Sequence, residues 1–270
     1  FFFFFYGNVE TRTKVELGST YATRYTYDNM NQVGSVTYPS GMTVNYQRDQ
    51  RSRVTDISLS HSSLSGAQPI LSGIQYRADD LPVAQTLGNG LQETLTYDLQ
   101  GRLQTQQLGA LFDRTYHYDA NGNVLGIDTL NTNLGYGYDA LDRINSETGI
   151  LESLLTYDGN SNRLTQTLTG QTDYDYKVNS NQLVKVGDTD LTLDAAGNTL
   201  TDGIRQFSYN DRNQMETYGE SGSTVASYEY DVANLRTRKT TSTANHLYHY
   251  DLIGRRIQHD INGQNRTATV

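Results

Sequence analysis

Polar and apolar positions alternate along this chain in short runs. In Leu95-Thr-Tyr-Asp-Leu-Gln-Gly-Arg-Leu-Gln-Thr105, Leu95 and Tyr97, then Leu103 and Thr105, alternate with polar neighbours. That is the period of a half-buried strand. Between the two runs lies Asp98-Leu-Gln-Gly101. Asp at the first position and Gly at the fourth predict a type I turn closed by a residue in the left-handed region. The aspartate side chain can accept from backbone N–H groups just downstream. The glycine takes positive φ without a steric penalty.

The unit recurs along the whole chain. The phrase Tyr-Asp-x-x-Gly-Arg-Leu starts at Tyr97, Tyr118, Tyr138, Tyr157, Tyr230 and Tyr250, with looser copies at Tyr27, Tyr46, Tyr76, Tyr176, Leu193 and Tyr209. Successive starts lie mostly 19 to 21 residues apart (97 to 118 is 21, 138 to 157 is 19). A period of this length predicts a repeat array. It covers residues 7–264, about a dozen hairpins, between an uncertain terminal segment, 1–6, and a tail, 265–270. The turn residues expected to carry the architecture are Tyr97, Asp98 and Gly101; Tyr118, Asp119 and Gly122; Tyr138, Asp139 and Asp142; Tyr230, Asp231 and Asn234; and Tyr250, Asp251 and Gly254.

Only Gly, Asn and Asp visit the left-handed region readily. The fourth residue after the repeat tyrosine should come from that set, and Asn31, Gly101, Gly122, Asp142, Gly197, Asn213, Asn234 and Gly254 do. The copies at Tyr157 and Tyr176 read as one residue longer, placing Asn162 and Asn181 there. The copies at Tyr46 and Tyr76 break the rule, with Gln50 and Asp80-Leu81-Pro82, and their turns are expected to differ. The Ser-rich stretch 59–72 reads as a loop or decorated turn.

Tyrosines also pair two apart before the turn, as in Tyr25/Tyr27, Tyr116/Tyr118, Tyr136/Tyr138 and Tyr248/Tyr250. Both members of a pair point to one face. Stacked hairpins bring such rings to cross-strand distances, where aromatic pairs contribute ~0.2–1 kcal/mol each. One hairpin is marginal, but a dozen can bury one face continuously. The expected fold is all-β: a β-hairpin ribbon, on the order of 100 Å along its path. Twist should coil it into a spiral shell or an open barrel.

Composition agrees with a thin wall. Hydrophobic residues make up 36% of the chain and the mean hydropathy is -0.63. The 21 tyrosines, against no Trp and 7 Phe, can bury a ring while keeping the hydroxyl near water. Three prolines fit continuous backbone pairing. The net charge of -9 and pI of about 4.9 argue against nucleic-acid partners and against docking on an anionic membrane. The lack of cysteine removes disulfides, thiolate zinc sites and thiol nucleophiles. No run of 18 apolar residues suggests membrane insertion. Phe1 to Phe5 lacks the features of a signal peptide and reads as a tag or scar, although Gly7-Asn8-Val9 fits the repeat turn and would put Phe3 at the tyrosine position.

Candidate chemistry is sparse. His246 and His249 are three apart, hence on opposite sides of a strand, and with His61, His117 and His259 they read as solvent-facing polar positions. Asp119-Ala-Asn121-Gly-Asn123 has a superficial likeness to a calcium loop, but Val124 and Leu130 stand where that loop needs Gly and Glu. Asp173/Asp175 and Asp188/Asp190 read as solvated surface, and no Gly-x-Ser-x-Gly elbow or phosphate loop is found. The expectation is a protein that is not an enzyme and uses no metal or other cofactor.

Tyr97-Asp-Leu-Gln-Gly-Arg-Leu103, Tyr118-Asp-Ala-Asn-Gly-Asn-Val124, Tyr138-Asp-Ala-Leu-Asp-Arg-Ile144 and Tyr250-Asp-Leu-Ile-Gly-Arg-Arg256 resemble the YD repeats of bacterial Rhs proteins. Similar repeats occur in the C components of insecticidal Tc toxins, in wall-associated bacterial proteins and in teneurins. The resemblance implies a hairpin ribbon spiralling into a hollow shell, which in toxin members encloses a C-terminal toxic domain. Those members end the shell with an Asp-Pro-x-Gly-Leu element and a self-cleavage aspartate. No proline follows Pro82 here, so no cleavage residue is carried over. The expected role is a structural segment of a secreted or cell-surface bacterial protein that shields or presents a toxin or other cargo. The alternatives are an adhesion or glycan-binding module using open tyrosine rows, and homo-oligomers joined through unpaired edge strands.

Overall fold

The computed structural model describes residues 8–16 and 19–268. The Phe1 to Phe5 run, and Phe3 as a tyrosine equivalent, lie outside them. The described residues form no helix and fold into antiparallel strands joined in sequence by short turns. Two compact units result: residues 1–113 together with 248–270, and residues 114–247.

In the first unit each strand pairs with the next in sequence. The series begins with Thr11–Glu16, Ser19–Tyr27, Val33–Thr37, Thr43–Arg48 and Val54–Ser60. It continues through Gln68–Tyr76, Pro82–Leu87, Gln92–Tyr97 and Leu103–Leu108. The C-terminal strands Arg256–Ile261 and Gln264–Ala268 pair with each other in the same unit. The second unit repeats the scheme. Its ladder is interrupted near Leu191, whose N–H returns to the Val184 carbonyl at 2.8 Å.

The hairpin turn is the one the alternation predicts. Gly101 N–H donates to the Asp98 carbonyl at 3.1 Å, and Asp98 N–H to the Arg102 carbonyl at 2.9 Å. Tyr97 lies opposite Leu103, with a register shift between Thr96 and Tyr97. That shift is a β-bulge that leaves Gln104, in the returning strand, without an opposite residue. It recurs just before Tyr27, Tyr118, Tyr138, Tyr157, Tyr209 and Tyr230.

Four readings of the sequence are corrected. The copy at Tyr157 carries no extra residue: Ser161, four residues on, takes φ 69°, and Asn162 occupies the arginine position. The copy at Tyr176 is one residue longer, but Asn179 rather than Asn181 is left-handed, with φ 58°. The turns near Tyr46 and Tyr76 are ordinary. Arg48 occupies the repeat-tyrosine position in the first and Ser52 takes φ 63°; in the second Arg77 stands for the aspartate and Asp80 takes φ 65°. The stretch 59–72 is a connection only in its middle half, since Val54–Ser60 and Gln68–Tyr76 confine it to residues 61–67.

The first unit has a small core of Tyr25, Val36, Tyr38, Val44 and Ile257, flanked by Tyr27, Val33, Met42, Tyr46, Ile57 and Leu59. In the second unit most side chains are only half-buried, with Ala226 and Leu247 among the few buried apolar ones. Such a wall is held chiefly by backbone pairing and polar contacts.

Candidate functional site

The aspartate turns between the strands are the most organised feature of each unit. Asp98 Oδ1 accepts from the N–H groups of Gln100 and Arg102, both at 2.9 Å, and Oδ2 accepts from Arg102 Nε at 2.6 Å. Asp139 binds Leu141, Arg143 and the Arg143 guanidinium in the same way. In Asp119 and Asp158 the amides of Asn123 and Asn162 replace the guanidinium. Asp231 and Asp251 each accept two backbone N–H bonds. The left-handed positions are filled by Gly101, Gly122, Asp142, Asn234 and Gly254, with φ of 80°, 96°, 57°, 65° and 82°.

Such bonds hold the carboxyls of Asp49, Asp98, Asp119, Asp139, Asp158 and Asp194 below the usual range. For Asp139 and Asp49 the main cause is the bond from the arginine side chain; for Asp119, Asp158 and Asp194 it is the asparagine amide. At Asp98 desolvation is the largest influence and acts upward, but the Arg102 and Gln100 donors together outweigh it.

Neighbouring turns are tied to one another. Asn121 and Asn123 donate to Asp142 Oδ1 at 3.1 and 2.8 Å. Arg143 Nη1 reaches the Asp158 carbonyl at 2.9 Å and Ser161 Oγ at 3.2 Å. Asn162, Asn198 and Gln214 reach Asn181, Asn213 and Asn234. Asp142, Asn213 and Asn234 thus serve twice, as left-handed residues and as acceptors, a role a glycine cannot fill. The Asn121 and Asn123 amides face carboxylates as donors, as a turn-to-turn tie requires.

The repeat tyrosine is a stitch as well as a packing group. The hydroxyls of Tyr27, Tyr76, Tyr97, Tyr138, Tyr157, Tyr176 and Tyr230 donate to the carbonyls of Val9, Val54, Pro82, Val124, Ile144, Arg163 and Met215, at 2.6 to 3.0 Å. Except at Val9, the acceptor is the first residue of the strand after the preceding turn, the register partner of the residue just before that turn. Arginines cover some of the rings: Arg53 lies 4.8 Å from the Tyr76 centroid, Arg143 4.7 Å from Tyr157 and Arg163 4.1 Å from Tyr174. Removing one stitch, in Tyr138→Phe, should orphan the Val124 carbonyl and cost about 1 kcal/mol. Urea unfolding followed by circular dichroism measures it.

The opposite face carries cross-strand polar pairs. Hydroxyls meet at Thr26–Ser35, Thr96–Thr105, Thr156–Thr165 and Ser208–Thr217, at 2.6 to 2.7 Å. His117 pairs with Asp128 at 2.7 Å, both about half exposed. Asp173, Asp175, Asp188 and Asp190 are exposed. A shallow depression of about 600 Å³ at the turn edge is lined by Arg212, Gln214, Tyr230, Val232 and Asn234, with no carboxylate among them. Among the described residues, no three His, Cys, Asp or Glu side chains are grouped as metal ligands would be.

His249 corrects the reading of the histidines as solvent-facing. It is 4% exposed, its Nε2 lies 3.1 Å from Asp260 Oδ2, and its ring centroid lies 4.5 Å from that of Tyr21. Strand alternation alone could not show this, because Tyr21 is more than two hundred residues away in sequence.

The fold of this chain is similar to that of segments of solved Tc toxin assemblies. The crystal structure of TcdB2–TccC3–Cdc42 superposes on 93% of this chain with a TM-score of 0.76 at 18% identity. That of TcdB2–TccC3 covers 90% at 0.74 and 15% identity, and the Photorhabdus luminescens Tc holotoxin pore covers 90% at 0.73 and 16% identity. The chain spans only 15 to 16% of the length of those chains. No protein-family model matches it, and neither does any curated protein sequence.

Proposed function

We propose that this chain is a non-catalytic wall segment of a secreted or surface-exposed bacterial protein of the Rhs type, part of a β-shell that encloses or presents a toxin or other cargo protein. The observation that carries the reading is the stitch from repeat tyrosines such as Tyr97, Tyr138, Tyr157 and Tyr230 to the preceding hairpin. It makes a continuous wall one sheet thick without a thick apolar core. The array is read as residues 7–264, and the turn residues from Tyr97 to Gly254 as its structural joints. The likeness to Tc toxin assemblies, one of which contains Cdc42, favours an enclosed passenger. The tyrosine hydroxyls engaged by carbonyls and the rings covered by arginine favour a wall over an open sugar-stacking platform.

Limited trypsin digestion of the full-length polypeptide that carries this segment tests the proposal. The passenger domain should survive while the wall is folded and be digested once the wall is denatured. Equal digestion rates in the two states would overturn enclosure.

A further inference from the structure

Three asparagines of the chain stand directly before glycine: Asn89, Asn121 and Asn262. In that pair the backbone can attack the side chain. The nitrogen of the next residue closes a five-membered ring on the amide carbon, and glycine puts no Cβ in the way. A nitrogen whose N–H sits in a good hydrogen bond attacks slowly, because that bond must break first.

The structure separates Asn89 from Asn121 on that ground, although both are exposed. Gly90 N–H is tied to the Leu87 carbonyl at 2.8 Å, and Asn89 Oδ1 accepts from Leu91 N–H at 3.1 Å. Gly122 N–H lies 3.3 Å from the Asp119 carbonyl, whereas its equivalents Gly101 and Gly254 sit at 3.1 and 3.2 Å. That is past the ordinary limit of about 3.2 Å, so the Gly122 nitrogen is the more weakly held. Asn121 also carries a tie to the next turn, donating to Asp142 Oδ1 at 3.1 Å beside Asn123 at 2.8 Å. The turns after Tyr157 and Tyr176 make the same kind of tie from Asn160 to Asn181 at 3.3 Å. There Ser161 follows the asparagine, and its side chain hinders ring closure.

We propose that Asn121 is a site of spontaneous deamidation and that the reaction cuts its tie to Asp142. The Gly122 nitrogen bonds to Asn121 Cγ, the Cγ–Nδ2 bond breaks, and ammonia leaves with the proton from Gly122 N–H. Water then opens the cyclic imide and leaves aspartate or isoaspartate at 121. Either product replaces a donor by a carboxylate facing Asp142, so attraction becomes repulsion. Isoaspartate also lengthens the backbone of the turn by one carbon. The joint between the turns after Tyr118 and Tyr138 thus ages with the protein, while the joint from Asn160 to Asn181 endures.

Peptide mapping by mass spectrometry of the whole chain, fresh and after storage in neutral buffer, tests the site. Digestion assigns any change to 121 rather than to Asn262, in the turn between Ile261 and Gln264. Asn121 should convert about tenfold faster than Asn89, the factor that one backbone hydrogen bond supplies, and Asn160 should stay an amide. Amide hydrogen exchange reads the consequence. In Asn121→Asp, exchange at Asn123 and Asp142 should accelerate about tenfold, and at Gln100 and Arg102 it should not change. Asn121→Gln keeps an amide but closes a ring far less readily, so after storage it should exchange as the fresh protein does. Conversion of Asn121 no faster than that of Asn89, or unaltered exchange at Asn123 and Asp142 in Asn121→Asp, would overturn the proposal.

Discussion

Gly88→Ala is expected to destabilise the first unit by about 3 kcal/mol, more than a point change at any ordinary turn. A Cβ at Gly88 would sit 2.2 Å from the Pro69 carbonyl oxygen and 3.2 Å from its carbon. Both are backbone atoms, so no side chain can rotate away. The position is also pinned, because Gly88 N–H donates to the Ile70 carbonyl and Leu87 N–H to the Leu91 carbonyl, both at 2.8 Å. Relief requires moving one strand of the pair Gln68–Tyr76 and Pro82–Leu87 at the cost of those bonds. Gly170→Ala is the control, since a Cβ there meets nothing within 4 Å and should change stability by less than about 0.5 kcal/mol. Urea unfolding of the two variants decides the matter, and equal midpoints would show that the close approach at Gly88 is not a constraint.

Acid should weaken the array at many turns together. The carboxyls of Asp49, Asp98, Asp119, Asp139, Asp158, Asp194 and Asp202 are all held below their ordinary value in the folded chain. A carboxyl depressed by folding binds protons less readily folded than unfolded. Its contribution is complete above the unfolded value of about 4 and is lost as pH falls toward the folded one. The thermal midpoint should therefore be nearly level from about pH 8 to 5 and decline steeply below about 4. Replacing Asp98, Asp119 and Asp139 together by asparagine should flatten that decline, because asparagine keeps one acceptor and does not titrate there. A decline equally steep in the triple variant would place the acid-sensitive groups elsewhere.

Much of this fold is written in local chemistry. The eight left-handed positions from Asn31 to Gly254 are legible because few residue types tolerate that backbone. Ser52 and Ser161 escape the rule because serine is an uncommon choice there, and Arg48 and Arg77 hide ordinary turns behind unfamiliar letters. The stitch from Tyr138 to Val124 was not readable, since its acceptor is a carbonyl that every residue has. The asparagine and arginine ties between turns require knowing which turn stands beside which. The burial of His249 depends on Tyr21, and no periodicity joins residues so far apart.

The stitch also divides the ribbon into a conservative margin and a permissive one. Tyr157 reaches back 13 residues to Ile144, whereas Tyr76 reaches back 22 to Val54 across the longer connection at 61–67. The bond closes equally well over both distances, at 2.6 Å. Extra residues on the margin away from the YD turns are thus invisible to the joint. Foreign loops grafted at 61–67 should be carried without disturbing the weave, so that margin is where a new surface can be added.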